Sequence, residues 1–221
     1  MTKRLLIRAT PTIRKKVYDF LRQQILLGQF KPRERLVENR IAAEIGTSRT
    51  PVREALHSLE MEGLLEAVPR VGYVVKPMTK EEVEEICQIR MAIESLAGEW
   101  VLQRARQRAI RELKKNIARA EERLARGRVR DFVELDAQFH EILARCSGSS
   151  RLLEMAQRLR SHMLRYRIQS IYSAENVARA IQGHKAILEA LETGDSQELA
   201  KAISKHIEIS KQDIIRYALG D

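Results

Sequence analysis

The chain has 221 residues, with 40 Lys and Arg against 30 Asp and Glu, a formal net charge of +10 and a sequence pI near 9.9. That length suffices for two modest domains, each with a real core, and no apolar run approaches the roughly 18 residues of a membrane-spanning helix. The two cysteines, Cys87 and Cys146, lie in apolar helical patterns without metal or redox spacing, so they read as buried, reduced thiols of a cytoplasmic protein rather than as a disulfide framework.

The positive charge is concentrated at the front. Residues 1–76 carry 15 Lys and Arg against 8 acidic residues, whereas residues 77–221 carry 25 against 22, so the first third is expected to meet a polyanion. Residues 1–11 read as a basic arm whose Leu5-Leu6-Ile7 patch is too short for a signal sequence. A first helix is predicted from about Pro11 to Leu27, with Ile13, Val17, Leu21 and Ile25 as its buried stripe and Gly28 as its stop. Phe30, Pro32 and Leu36 suggest an extended connection into a short helix from Val37 to Ile45, which buries Ile41 and Ile45.

The turn at Gly46-Thr47 leads into a third helix with two distinct faces. Val52, Ala55, Leu56 and Leu59 stand at helical spacing and can be buried, while Arg49, Thr50, Arg53 and His57 fall on another side. Ser48 is placed to cap the helix, Pro51 is tolerated in its first turn, and Gly63 marks its end. Arginines near a helix N-terminus oppose the helix dipole but suit phosphates and the bidentate recognition of guanine. The competing assignment pairs them within the domain, for instance with Glu54 or Glu60. Beyond Gly63, Leu64–Val68 and Tyr73–Val75 flank Pro69-Arg70-Val71-Gly72 and read as a hairpin with a basic tip.

After Pro77 the pattern is helical throughout. Thr79 and Glu82 fit a capping box opening a helix to about Arg106, with an inward stripe of Val83, Ile86, Ile89 or Arg90, Ile93 and Ala97. Further helices are predicted over 108–126, 129–146, 150–171, 174–193 and 196–218, with breaks at Gly127, Ser147-Gly148-Ser149, Ser173 and Gly194-Asp195. The fold class is mainly α: a winged helix-turn-helix of three helices and a small β-hairpin over residues 1–76, then an antiparallel bundle of about six helices over 77–221.

Pro32 to Leu36, Ile41-Ala42, Gly46, the run SRTPVREAL at 48–56, Glu62-Gly63-Leu64 and the Gly72 wing together resemble the GntR family of bacterial transcription regulators. The helical remainder resembles the FCD-type effector-binding domain of its FadR-like subfamily. The resemblance implies a homodimer that reads a palindromic double-stranded operator, most often as a repressor, and that binds a small carboxylate effector in the helical domain. It places DNA contacts on Arg49, Thr50 and Arg53, on Asn39 where an arginine is common, and on Arg70 and Gly72 at the wing.

One polar constellation interrupts the bundle's apolar stripes. Asp136 and His140 are four apart on one face with Val133 and Leu143. His184 shares the stripe of Ile181, Ile187, Leu188 and Leu191, and His206 shares that of Leu199, Ile203 and Ile209. Four ionisable groups on three helices pointing into a core need a common partner. One carboxylate and three imidazoles suit a divalent metal ion, zinc first, with nickel, manganese or iron also accepted by such a set. The FCD resemblance implies the same four ligands. An anionic effector needs a further cation; Arg90, which interrupts the inward stripe, is the first candidate, with Arg160, Arg165 and Arg167 behind it. Three functions follow: a regulator that senses a metabolite at the metal, a metalloregulator, or a metal-dependent enzyme. The segment from His140 lacks the second histidine of the zinc-protease signature, Glu141 is expected to face away from the stripe, and no nucleophile pattern appears, so an enzyme is not expected.

Overall fold

The computed structural model describes residues 11–77, 79–170 and 173–220, without the side chains of residue 161 and residues 165–170. The basic arm expected before Pro11 therefore lies outside the described residues. The chain divides into two compact units, residues 1–77 and residues 78–221.

The first unit contains three helices, α1 (Ile13–Leu26), α2 (Glu38–Glu44) and α3 (Arg49–Met61), and three short strands, β1 (Arg35–Leu36), β2 (Leu65–Val68) and β3 (Gly72–Val75). Helix α3 supplies the centre of its core, since Val52, Ala55, Leu56 and Leu59 are all fully buried, against Leu21 and Ile25 of α1. Glu62, just past α3, locks α1 onto this core. Tyr18 Oη donates to its Oε2 at 2.5 Å and Arg22 Nε to its Oε1 at 2.8 Å. Burial, then the Glu62 carboxylate, push the Tyr18 phenol up to about 12. Gly63 ends the segment in the left-handed region, at φ 76°.

Three local expectations need correction. Ile13 is 61% exposed, because it occupies the first turn of α1, beyond the reach of the α3 face that covers Val17, Leu21 and Ile25. Ser48 stands at the N-cap of α3 but makes no side-chain capping bond there. The connection around Leu36 is a true strand: β1 pairs antiparallel with β3, so the hairpin becomes a sheet of order β1-β3-β2. Two residues carry too little periodicity to announce a strand.

The second unit is a bundle of six helices: α4 (Lys80–Arg104), α5 (Arg106–Ala125), α6 (Phe132–Cys146), α7 (Ser150–Ser170), α8 (Ala174–Thr193) and α9 (Ser196–Ile214). A 3-10 turn at Val129–Asp131 precedes α6, and a π-helical turn at Ile215–Leu219 follows α9. Helix α4 packs against α6, α7 and α9 and so buries residues on more than one side, from Val83 and Cys87 to Glu94 and Gly98. Thr79 caps α4 through Glu82 N at 3.2 Å. The ambiguity at its third turn is resolved: Ile89 is exposed and Arg90 is the buried residue. Cys87 and Cys146 are buried free thiols, and among the described residues no helix is long and apolar enough to cross a membrane. Asp195 caps α9 by accepting from Gln197 N at 2.8 Å and Glu198 N at 3.1 Å. Asp195→Ala is expected to destabilise the bundle by about 1 kcal/mol, read as a lower urea midpoint at unchanged slope.

Candidate functional site

The four residues interrupting the bundle's stripes converge. Asp136 and His140 on α6, His184 on α8 and His206 on α9 each offer one ligand atom, and these atoms all lie within 4.8 Å of one another. His206 Nε2 is 3.3 Å from His140 Nε2, and Asp136 Oδ1 is 3.5 Å from His184 Nε2 and 4.0 Å from His140 Nε2. Bonds of about 2.0–2.2 Å to one cation place its ligand atoms about 3 to 4.3 Å apart; the three separations above fall within that span, and one carboxylate with three imidazoles is a donor set that fits a divalent metal ion.

The surroundings set the orientation of each imidazole. His140 Nδ1 lies 2.6 Å from Glu94 Oε2, and Glu94 Oε1 accepts from Arg90 Nε at 2.9 Å. Burial would raise the Glu94 pKa, but His140 and Arg90 outweigh it and hold the carboxyl at about 2. An ionised carboxylate only accepts, so His140 donates from Nδ1, and when the ring is neutral its Nε2 lone pair faces the cluster. Burial likewise opposes the charge on Arg90, yet Glu94 keeps its pKa raised. His184, 1% exposed, stacks on Phe139 with ring centroids 3.7 Å apart and planes 3° from parallel. His206 lies over Gly183 of α8, where an added Cβ would stand 2.4 Å from its Nδ1. Neither Glu94 nor Gly183 was singled out from sequence. The available signal for Glu94 was its position four residues after the one inward arginine of α4, the spacing of a helix ion pair.

Beside the cluster is a cavity of about 40 Å³ open to the centres of water-sized molecules. Arg90, Glu94, Asp136, His140, Glu141 and Arg160 line it, with apolar walls from Val133, Ala137, Leu153 and Met163. Arg90 and Arg160 thus both reach it. Glu141, expected to face away, also lines it, because the α6 face toward α7 is wide enough to include it, and it accepts from Arg160 Nη1 at 2.6 Å. The side chains of Arg165 and Arg167 lie outside the described residues. His162 is half-buried on α7.

In the first unit, Arg49, Thr50 and Arg53 are exposed on α3, Asn39 is exposed on α2, and Arg70 and Gly72 are exposed at the wing. Arg70 follows Pro69 in a turn closed by Val71 N to Val68 O at 3.0 Å and adopts φ 64°, as the third position of a type II turn demands. The arginines do pair within the unit, though not with Glu54 or Glu60. Arg53 donates from Nε and Nη2 to the two oxygens of Glu38, each at 2.9 Å, and Arg49 Nη2 lies 3.4 Å from Glu38 Oε2. Glu60 instead accepts from or faces His57, 3.0 Å away.

A winged helix-turn-helix joined to a helical bundle is the architecture of a DNA-binding transcription regulator. The chain belongs to the GntR family of bacterial regulatory proteins, which matches residues 13–75, and carries an FCD domain, which matches residues 85–209. It is 30% identical over 197 residues to a "Probable D-xylose utilization operon transcriptional repressor" of Paenarthrobacter nicotinovorans, covering 89% of this chain and 86% of that one. It is 27% identical over 195 residues to the gluconate operon transcriptional repressor of Bacillus licheniformis, covering 85% and 79%. The fold is shared with the solved structure of Escherichia coli McbR/YncC at a TM-score of 0.74 and 22% identity, covering 94% of this chain and 99% of that one.

Two outcomes are expected from this geometry. Gly183→Ala should swing the His206 ring away from His140, seen in a crystal structure or as shifted His206 ring resonances. In the metal-free protein, Glu94 has a folded pKa of about 2 against an ordinary 4.5, so its contribution is present above pH 4.5 and is lost as pH falls toward 2. The loss should be on the order of 3 kcal/mol, and Glu94→Gln should flatten that part of the stability profile in urea titrations.

Proposed function

We propose that this protein is a homodimeric repressor whose affinity for a palindromic operator is controlled by a small carboxylate bound at a metal site in the FCD domain. The observation that carries this reading is the convergence of Asp136, His140, His184 and His206 beside a cavity that also receives two arginines. These four residues would hold the ion, which when bound supplies positive charge and open coordination positions for a carboxylate. The charge of the lining decides the class of effector. Arg90 and Arg160 face three carboxylates, Glu94, Asp136 and Glu141, leaving the protein's own lining one charge negative. A carboxylate is therefore repelled from the protein alone, and a divalent cation reverses the sign to one net positive charge, which one carboxylate balances. The apolar walls and small volume favour a short monocarboxylate over a dicarboxylate.

Arg49, Thr50 and Arg53 would read base edges in the major groove, Asn39 would add a contact from α2, and Arg70 with Gly72 would approach the backbone from the wing. Exposed Ile89 and Leu96, seven apart on α4, support pairing of two copies. Effector binding would then shift the population of bundle arrangements and with it the freedom of the two reading heads. Repression is the sign supported by the relatives named as repressors.

The test combines thermal stability with DNA binding. Zinc or nickel should raise the unfolding temperature, acetate, butyrate or lactate should raise it further only when metal is present, and succinate and malate should do so less. The same monocarboxylate should weaken binding to a duplex selected by the protein. Asp136→Ala and His206→Ala should lose the metal response. Equal metal binding by both variants, or stabilisation by carboxylates without metal, would overturn the sensor. DNA binding that follows free metal and ignores every carboxylate would favour a metalloregulator.

A further inference from the structure

The two arginines best placed to read DNA share one acidic partner, and that partner sits on the reading face itself. Glu38 is the first residue of α2, and its side chain is 21% exposed while those of Arg49 and Arg53 are each 59% exposed. A carboxylate at that place opposes the phosphates of any duplex, so it lowers affinity for DNA of every sequence. Its geometry toward Arg53 offers a reason to have it there. Both oxygens accept, one from Nε and one from Nη2, at 2.9 Å each. This is a side-on pair. It uses the inner edge of the planar guanidinium and leaves the outer edge, Nη1 with the second hydrogen of Nη2, outside the pair. That outer edge is the one that matches guanine N7 and O6 in a bidentate contact.

We propose that Glu38 is a positioning residue for sequence recognition: it grips Arg53 by the Nε–Nη2 edge so that the Nη1–Nη2 edge is presented, already ordered, to a guanine. The proposal rests on α3 being the recognition helix. An arginine on an exposed helix must otherwise give up the rotamer freedom of a long side chain on binding, and it could satisfy phosphates as easily as a base. Glu38 restricts it to one plane and makes any misplaced pose leave a carboxylate unpaired against the duplex. Affinity for all DNA is exchanged for discrimination among sequences. Arg49, at 3.4 Å and on one oxygen only, is the looser partner and can leave for a phosphate without breaking the side-on pair.

The experiment is in vitro selection from random duplexes with the full-length protein, followed by titration of the selected and of scrambled duplexes. The variants are Glu38→Gln, Arg53→Ala, Arg53→Lys and the Glu38→Gln/Arg53→Ala double variant, each checked for an intact thermal transition. Glu38→Gln should bind scrambled DNA more tightly, yet its ratio of selected to scrambled affinity should fall about tenfold or more. The loss should sit at the same guanine whose preference disappears in Arg53→Ala. Arg53→Lys, which keeps the charge but cannot form the side-on pair, should lose that preference too, and Glu38→Gln should add no further loss in the Arg53→Ala background. If Glu38→Gln tightens binding to all duplexes alike and keeps the preference, Glu38 only subtracts charge and the proposal fails. If Arg53→Ala selects the same sequence as the parent, or the parent selects none, the recognition-helix reading fails and takes the proposal with it.

Discussion

An ionised carboxylate inside a helical core has to be neutralised where it stands, and Glu94 meets that constraint in a way that organises the FCD domain. Its two oxygens divide between Arg90, four residues earlier on α4, and His140 on α6. Removing Arg90 would leave the buried Glu94 charge uncompensated, a change that typically costs about 3–5 kcal/mol. The three residues therefore act as one unit tying α4 to α6. The unit also faces inward chemistry. Because Glu94 accepts, His140 presents its Nε2 to Asp136, His184 and His206, and because Arg90 is held by Glu94, its charge stays at the edge of the adjoining cavity. A bundle built for stability alone would place leucines at these positions.

The reading domain uses a related device on an exposed face. Glu38 holds Arg53 by one edge, as Glu94 holds His140 by one ring nitrogen, and in each case the held group is left with a single outward direction. The difference lies in the surroundings. Around Glu94 the low dielectric makes the pairing strong and the pKa displacement large. Around Glu38 solvent screens the pair, so its value lies in geometry more than in stability. Phe139 beneath His184 and Gly183 beneath His206 do the corresponding work by shape, one by stacking and one by leaving room.

Much of this was legible in the sequence because periodic burial speaks plainly. The four fully buried residues of α3 stand at i, i+3, i+4 and i+7, and the polar residues at 136, 140, 184 and 206 were conspicuous because each broke a stripe that should have been apolar. Other features have no period to betray them. Strand β1 has two residues and exists because β3 lies beside it. Sequence proximity offers Arg49 and Arg53 partners such as Glu54 and Glu60 on the same helix, whereas tertiary packing brings Glu38 from α2. The histidine stripe alone puts Glu141 on the far side of α6, and only the approach of α7 with Arg160 shows that the cavity extends around to it. Pairings across helices depend on how the elements dock, and one chain's sequence does not state that.

On the proposed reading, the buried Asp136, His184 and His206 and the part-buried His140 are ligands of one divalent cation. The most direct measurement is a crystal structure of the zinc-loaded protein with anomalous data collected on both sides of the zinc edge. One edge-dependent peak per chain should lie within about 2.0–2.2 Å of Nε2 of the three histidines and of an Asp136 oxygen. A bundle interior without such a peak, with the three imidazoles hydrogen-bonded to one another or to water, would contradict it.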